Sequence, residues 1–211
     1  LKSMVVSSHS FYHSFTIPKR KGGTRQIDAP YPSMIRAQQW IYHEILSKIA
    51  ISPSATGFIP NHSIKDNASA HLCQECLLLL DVKDFFPSIK WHKVYAVFNH
   101  LGYPKNIAQY LASLCCLDGH APQGAVTSPA LSNVIARRLD ARISGIAKKY
   151  EINYTRYADD MTFSGKRISR RFQSIISKIV EEDGFKINKE KTRFIKGKHQ
   201  KIVTGVSISS D

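Results

Sequence analysis

Between residues 76 and 82 the chain carries a nearly unbroken apolar run, Cys76-Leu77-Leu78-Leu79-Leu80-Asp81-Val82, the pattern of a strand buried on both faces. Elsewhere apolar positions recur at helical spacing. Over 33–49 they are Ile35, Trp40, Ile41, Ile45, Leu46 and Ile49, with Ser33 as candidate N-cap. A short helix is expected over 64–71, and two more over 91–101 and 105–117, parted by Gly102-Tyr103-Pro104. The longest helical pattern spans 128–150 with Pro129 in its first turn, and 168–182 is amphipathic. Two short strands around 15–17 and 24–27 flank a basic Gly-Gly turn, with Pro30 and Pro32 ending the hairpin. Residues 152–157 and 161–164 read as strands around a tight Ala158-Asp159-Asp160 turn, and short strands follow at 185–187, 193–195 and 201–207. This order predicts an α+β fold with a mixed or antiparallel sheet. The regular alternation and Gly-rich turn of a doubly wound fold are missing.

Composition narrows the class. The 211 residues include 30 Lys or Arg against 16 Asp or Glu, a net charge of +14. That excess favours a polyanionic partner through long-range attraction and counterion release. It is concentrated: residues 166–201 hold twelve Lys or Arg and four acids. The stretch lacks bulky aromatics at helical spacing, so nucleic acid is favoured over a membrane surface. No apolar run reaches the roughly 20 residues of a bilayer span, and no cleavable signal is recognisable. Cys73 and Cys76 form a lone CxxC and Cys115–Cys116 are adjacent. A zinc site would need the CxxC pair plus two more ligands, with His71 and His120 as the nearest candidates; the apolar surroundings favour reduced, mostly buried thiols, in keeping with a reducing cytosol.

Three carboxylates stand out. Asp81 ends the buried strand, where an unpaired charge is costly. Asp159 and Asp160 share a turn, where adjacent carboxylates repel unless a divalent cation bridges them. If that turn packs beside Asp81, the three oxygen donors suit a pair of Mg²⁺ ions, one activating a 3′-hydroxyl and one stabilising pyrophosphate. Ordinary turn chemistry is the alternative for an Asp-Asp pair.

Tyr157-Ala158-Asp159-Asp160, with Asp81-Val82-Lys83-Asp84-Phe85-Phe86-Pro87-Ser88 and Gln123-Gly124-Ala125-Val126-Thr127-Ser128-Pro129 before it, resembles the reverse transcriptase family in motifs and in their order. The resemblance runs over about 15–207 and implies a right-hand polymerase fold: fingers over 1–75, palm over 76–200 with fingers elements interleaved around 91–125, and the start of a palm–thumb junction at 201–211. It implies a catalytic triad of Asp81, Asp159 and Asp160 holding two Mg²⁺ ions (Mn²⁺ as the alternative), with the Val82 carbonyl as a further ligand. Asp84 and Phe85 correspond to backbone positions at the incoming triphosphate, and Phe86 to an aromatic gate against the sugar 2′-hydroxyl. Gln123 and Gly124 correspond to the nucleotide- and template-contacting motif, where Gly124 lets backbone approach the ligand. Lys19, Lys21 and Arg25 match the fingers hairpin whose cations hold the triphosphate. Lys191 resembles the basic residue of a later motif, a proton donor to pyrophosphate, with Lys186 and Lys189 competing for the role.

Two shorter patterns resemble the retron clade: Asn67-Ala68-Ser69-Ala70-His71 as NAxxH, and Val203-Thr204-Gly205 as VTG. His71 also reads as a satisfied structural histidine. The clade implies a bacterial cytoplasmic enzyme that copies a dedicated structured noncoding RNA into short single-stranded DNA from dNTPs, with an effector protein in anti-phage defence and no membrane partner. A group II intron-like or other defence-associated reverse transcriptase is a second reading of the motifs, and a non-catalytic nucleic-acid-binding module a third. The resemblance also implies a helical thumb after 211, so the expected unit is fingers and palm with the thumb absent or truncated.

Overall fold

A computed structural model describes residues 2–19, 22–197 and 199–208; Lys21, one of the expected triphosphate cations, lies outside them. The helices are α1 (Lys2–Val6), α2 (Pro32–Glu44), α3 (Ile64–Ser69), α4 (Phe85–Ser88), α5 (Trp91–His100), α6 (Lys105–Leu114), α7 (Ser128–Lys149) and α8 (Arg170–Glu182). The strands are β1 (Tyr12–Pro18), β2 (Thr24–Pro30), β3 (Cys76–Asp81), β4 (Asn153–Tyr157), β5 (Asp160–Gly165), β6 (Arg193–Lys196), β7 (Ile202–Val203) and β8 (Val206–Ser207). No helix among the described residues is long and apolar enough to cross a membrane. The chain divides into two compact units, Leu1–Ala50 with Phe86–Ile135, and Ile51–Phe85 with Ala136–Asp211.

In the first unit β1 and β2 form an antiparallel hairpin, Tyr12 opposite Pro30 and Pro18 opposite Thr24. Pro32 occupies the first turn of α2, so Tyr31 rather than Ser33 is the N-cap. Met34, Gln38 and Ile41 are its buried stripe. The helix stops at Glu44 instead of Ile49: Ile45 leaves helical geometry and a 3₁₀ turn over Leu46–Lys48 follows. Adjacent Ile45 and Leu46 are both buried, which that break allows. Gln38 is fully buried and satisfied at both ends. Its Nε2 donates to Tyr12 Oη at 2.7 Å and to the Leu114 carbonyl at 2.8 Å, while its Oε1 accepts from Val126 N at 3.1 Å. Cys115 and Cys116 are buried thiols, and burial pushes Cys115 up to about 12. Cys73, by contrast, is exposed.

Gly124 has a structural task that its motif does not disclose. The Asp28 amide donates to the Gln123 carbonyl at 2.8 Å. Gly124 has φ +128°, and a Cβ there would stand 2.7 Å from the Asp28 carbonyl oxygen. Its missing side chain admits the hairpin's own backbone. Gly124→Ala is expected to cost about 2 kcal/mol, from strain plus the clash, read as a lower urea midpoint at unchanged slope.

The second unit is built on a four-stranded antiparallel sheet in the order β4-β5-β3-β6. The expected burial of β3 on both faces holds. Leu77 and Leu79 pack with Ile195, Ala68, Val203 and Ile208 on one side. On the other, Leu78 lies opposite Phe163, whose ring stacks on Tyr154 at 4.9 Å and meets Phe172 of α8 edge-on at 5.5 Å. Each fully buried Leu contributes about 1.5–3 kcal/mol by leaving water. The stretch 185–187 forms no strand. Phe185 turns inward against Phe85 at 5.7 Å, leaving a single bridge between Val82 and Ile187. The stretch 201–207 is reduced to the two-residue strands β7 and β8.

Candidate active site

Three carboxylates meet at one end of the second unit's sheet. Asp81, the last residue of β3, lies directly opposite Asp160, the first of β5. Val82 N donates to the Asp159 carbonyl at 2.9 Å, docking the turn on the end of β3. On its other side β3 is pinned by Asn188 N to the Asp81 carbonyl and Lys83 N to the Lys186 carbonyl, both at 2.7 Å. A 3₁₀ turn at Lys189–Lys191 follows and aims Lys191 back, placing Nζ 2.7 Å from Asp81 Oδ2. Of the three competing lysines, this contact belongs to Lys191.

The electrostatics follow from that crowding. Asp160 is pushed up to about 6, first by loss of water around its carboxyl and then by Asp159 and Asp81, with Lys191 opposing. The hydrogen bond to Asp81 raises Lys191 above its ordinary value, so the ammonium stays protonated at neutral pH. Among the described residues no three acidic, His or Cys side chains stand as a ready-made ligand cage; one Asp81 oxygen is engaged by Lys191 instead. The donors are nevertheless hard oxygens, with more negative charge than one ammonium offsets, and that set suits a divalent cation of the Mg²⁺ type.

The turn is held from beneath by groups that motif reading misses. Ala158 has φ +55°, a strained value for a residue with a side chain. Arg156, fully buried, donates from Nη1 to the Ala158 carbonyl at 3.1 Å. Its Nε and Nη2 form a two-point pair with the buried Asp140 of α7, each bond 2.8 Å, and Tyr154 Oη donates to the same carboxylate at 2.8 Å. The segment at 54–57 backs the hairpin: Arg156 N donates to the Ser54 carbonyl and Thr56 N to the Arg156 carbonyl. A Cβ on Gly57 would stand 2.8 Å from Ala158 N. One signal was available in the sequence, since Asp140 interrupts the buried stripe Ala136, Leu139, Ile143 and Ala147 of α7. An acid on an apolar stripe calls for a buried cation.

The two clade patterns come together. Asn67 Oδ1 accepts from Thr155 Oγ1 at 2.6 Å and Thr56 Oγ1 at 2.9 Å, and its Nδ2 donates to Thr204 Oγ1 at 3.2 Å. His71 bonds Thr155 Oγ1 through Nε2 and Ser164 Oγ through Nδ1, both at 2.7 Å. Because the Thr155 proton is committed to Asn67, Nε2 carries the imidazole proton and Nδ1 accepts from Ser164. Ala68 and Val203 share the apolar cluster beside it, and Gly205 completes the β7–β8 turn. Burial pulls His71 down from 6.5 to about 4. A depressed histidine stabilises the fold fully above pH 6.5, and that contribution drains away as pH falls toward 4. We expect a loss of about 3 kcal/mol across this window, and a flatter profile for His71→Gln in urea unfolding.

Asp84 has φ +48°, Phe85 is buried, and Phe86 is half-buried within α4. Lys19, Arg25, Gln123 and Gly124 belong to the first unit. Lys19 and Arg25 are exposed, Arg25 opposite Ile17 near the hairpin tip.

Residues 17–208 match the family model described as reverse transcriptase (RNA-dependent DNA polymerase). The retron Mx65 reverse transcriptase of Myxococcus xanthus is 39% identical over 94% of this chain and 51% of its own length. The retron Ec86 reverse transcriptase of Escherichia coli is 35% identical over 100% of this chain and 67% of its own. For the retron Mx162 enzyme of M. xanthus the values are 32%, 97% and 48%, so the chain spans about half to two-thirds of these relatives. Among solved structures, a telomerase from Candida albicans in complex with a TWJ fragment of telomeric RNA superposes with TM-score 0.65 at 11% identity, covering 94% of this chain and 45% of that one. An apo telomerase from Candida tropicalis, truncated from its C-terminal domain, gives 0.64 at 13%, covering 95% and 54%. These two show a shared fold, the fingers–palm architecture. With 192 of its 211 residues inside the family model and a retron enzyme matched along its whole length, the chain belongs to the reverse transcriptase family, among the retron reverse transcriptases.

Proposed function

We propose that this protein is an RNA-directed DNA polymerase that copies a structured noncoding RNA into short single-stranded DNA. The observation that carries the reading is the register that sets Asp81 opposite Asp160, with Asp159 docked on β3, in a chain of this family. Asp81, Asp159, Asp160 and the Val82 carbonyl are the ligands we assign to two Mg²⁺ ions, Mn²⁺ being the alternative. Bound there, divalent cations supply activation of a primer hydroxyl and neutralisation of the pyrophosphate charge.

The other roles belong to side chains and backbone. To Lys191, held protonated by Asp81, we assign the role of proton donor to the leaving pyrophosphate. Asp84 and Phe85 present backbone to the triphosphate, and Lys19, Lys21 and Arg25 neutralise its oxygens. Phe86 fills the space of a ribose 2′-hydroxyl, while Gln123 and Gly124 border the nascent base pair. We assign the first unit to the fingers and the second to the palm, which moves 51–75 from fingers to palm and widens the interleaved fingers segment to 86–135; the junction toward a thumb begins near 201. RNA template, nascent DNA and dNTPs are the substrates, a dedicated noncoding RNA the cognate partner, and anti-phage defence with an effector protein in the bacterial cytoplasm the setting.

The full-length protein, given an RNA template, an annealed primer, dNTPs and Mg²⁺, is expected to extend the primer. Asp159→Ala should abolish extension while leaving RNA binding within about twofold. Equal extension by Asp159→Ala, or none by the parent protein, would overturn the reading in favour of a non-catalytic nucleic-acid-binding module.

A further inference from the structure

The charges of α8 run against its dipole. Helices favour acids in the first turn and bases in the last, yet α8 has no acid in its first turn and no base in its last. It opens instead on Arg170 and Arg171 and closes on Glu181 and Glu182. The acids at the far end have an internal explanation, because Glu182 and Asp183 meet Arg142, and Asp183 meets Arg138. Nothing comparable accounts for the bases. Arg167, Arg170 and Arg171, with Lys166 after β5 and Lys196 on β6, are all exposed. Among the described residues none of the five forms an ion pair, and neither does the nearby Glu75.

These cations form an organised surface. The Arg170 guanidinium lies 5.3 Å from the Phe194 ring centroid and the Lys196 ammonium 4.9 Å from it, so one half-buried ring gathers two positive heads. Arg170 is steadied by Gln173 Oε1 at 3.1 Å. The register fixes where this surface sits. Lys196 pairs with Cys76 and Phe194 with Leu78, so both share the face of Leu78, whereas Asp81 shares the opposite face with Leu77 and Leu79. Lys196 is also five residues along β3 from Asp81, about 16 Å at ordinary strand rise.

We infer that Lys166, Arg167, Arg170, Arg171 and Lys196 form a second RNA-binding surface, on the opposite face of the sheet from the carboxylates. It grips the phosphate backbone of a double-helical segment of folded RNA, separate from the template strand being copied. Single-strand binders need open aromatic faces for base stacking. Here the aromatic ring is engaged by cations, leaving a charged surface that reads backbone and shape. The inference rests on the proposed RNA partner but not on catalysis.

The test is the salt dependence of binding by the full-length protein and its Arg170→Gln/Lys196→Gln double variant. Two fluorescent probes serve: an RNA hairpin with a stem of about 20 base pairs, and a single-stranded oligo(U) of equal length. The double variant is expected to bind the hairpin about tenfold more weakly at about 0.1 M salt. Its log–log salt slope should fall by about 2, one per lost phosphate contact. Binding of oligo(U), thermal stability and extension of a preannealed primer at saturating concentration should be unchanged, and Arg170→Lys should keep the parent slope. An unaltered slope, or an equal loss on both probes, overturns the inference. A parent protein that fails to extend primers but shows the hairpin-specific slope change overturns the polymerase reading and leaves this surface standing.

Discussion

Asp160→Asn is expected to abolish primer extension and, at the same time, to make the metal-free protein more stable at neutral pH. The loss follows from removing one of three carboxylates at the proposed metal site. An effect of several kcal/mol on the transition state corresponds to about a 10³-fold or greater fall in rate. The gain follows from the same crowding. Asp160 is raised to about 6 from 3.8, mainly by loss of water and by Asp159 and Asp81. A carboxyl raised in the folded state gives its full stability contribution below the unfolded value and loses it as pH climbs through about 6. At pH 7.5 the parent carries that penalty and the asparagine does not. Solvent screening at this exposed strand position leaves about 1 kcal/mol, or about 2–4 °C in melting temperature for a chain of this size. The gain should vanish near pH 4, where both side chains are neutral. A variant no more stable than the parent at pH 7.5, with EDTA present, would show that the ionised Asp160 carries no penalty in the folded protein, from loss of water or from its neighbours.

The second large effect is expected at Arg156. Removing one partner of a buried ion pair strands the other, at a cost of about 3–5 kcal/mol; Arg156→Met and Asp140→Leu singly should each destabilise by that order. The double variant removes both charges and should recover part of the loss, since an apolar pair replaces a desolvated one, while the buried Tyr154 hydroxyl and Ala158 carbonyl lose these partners and hold back the rest. Activity should not follow. Arg156 Nη1 is also the donor to the Ala158 carbonyl, so the double variant leaves the strained turn without its anchor and Asp159 loose. We expect kcat about 10²-fold below the parent, with KM for dNTP little altered. Recovery of stability and kcat together would assign the pair a purely structural role. Arg156→Lys separates the contributions further, because an ammonium cannot hold two carboxylate oxygens and a carbonyl with the planar geometry of a guanidinium.

The legible part of this protein was the part written in local periodicity and in contiguous motifs. Four apolar leucines in a row announce a doubly buried strand, and β3 is one, although in an antiparallel sheet rather than the parallel one such runs usually mark. Pro129 and the apolar spacing after it place α7 to within a residue of its observed ends. Adjacent carboxylates in a turn are common as turn chemistry; the motifs around Asp81 and Gln123, in their order along the chain, are what point to the chemistry. Boundaries were less legible where tertiary burial competed with helical period. Ile45 and Leu46 break α2 because both must go inside, and Phe185 abandons an extended course because Phe85 offers it a place in the core.

What the sequence by itself determined is most of the elements, the family and the candidate triad, since these are carried by local periodicity and by short contiguous motifs. The tertiary structure alone decided what supports them. It set Lys191 rather than Lys186 or Lys189 against Asp81, gave Gly124 a backbone neighbour in Asp28, joined Asn67 to Thr204 and His71 to Ser164, and set Arg156 and Asp140 beneath the Asp159–Asp160 turn. Those partners are separated by up to 137 residues. The physical reason is burial: a polar group taken out of water must find a partner nearby in space, and the folded chain, not the order of residues, determines which one is within reach.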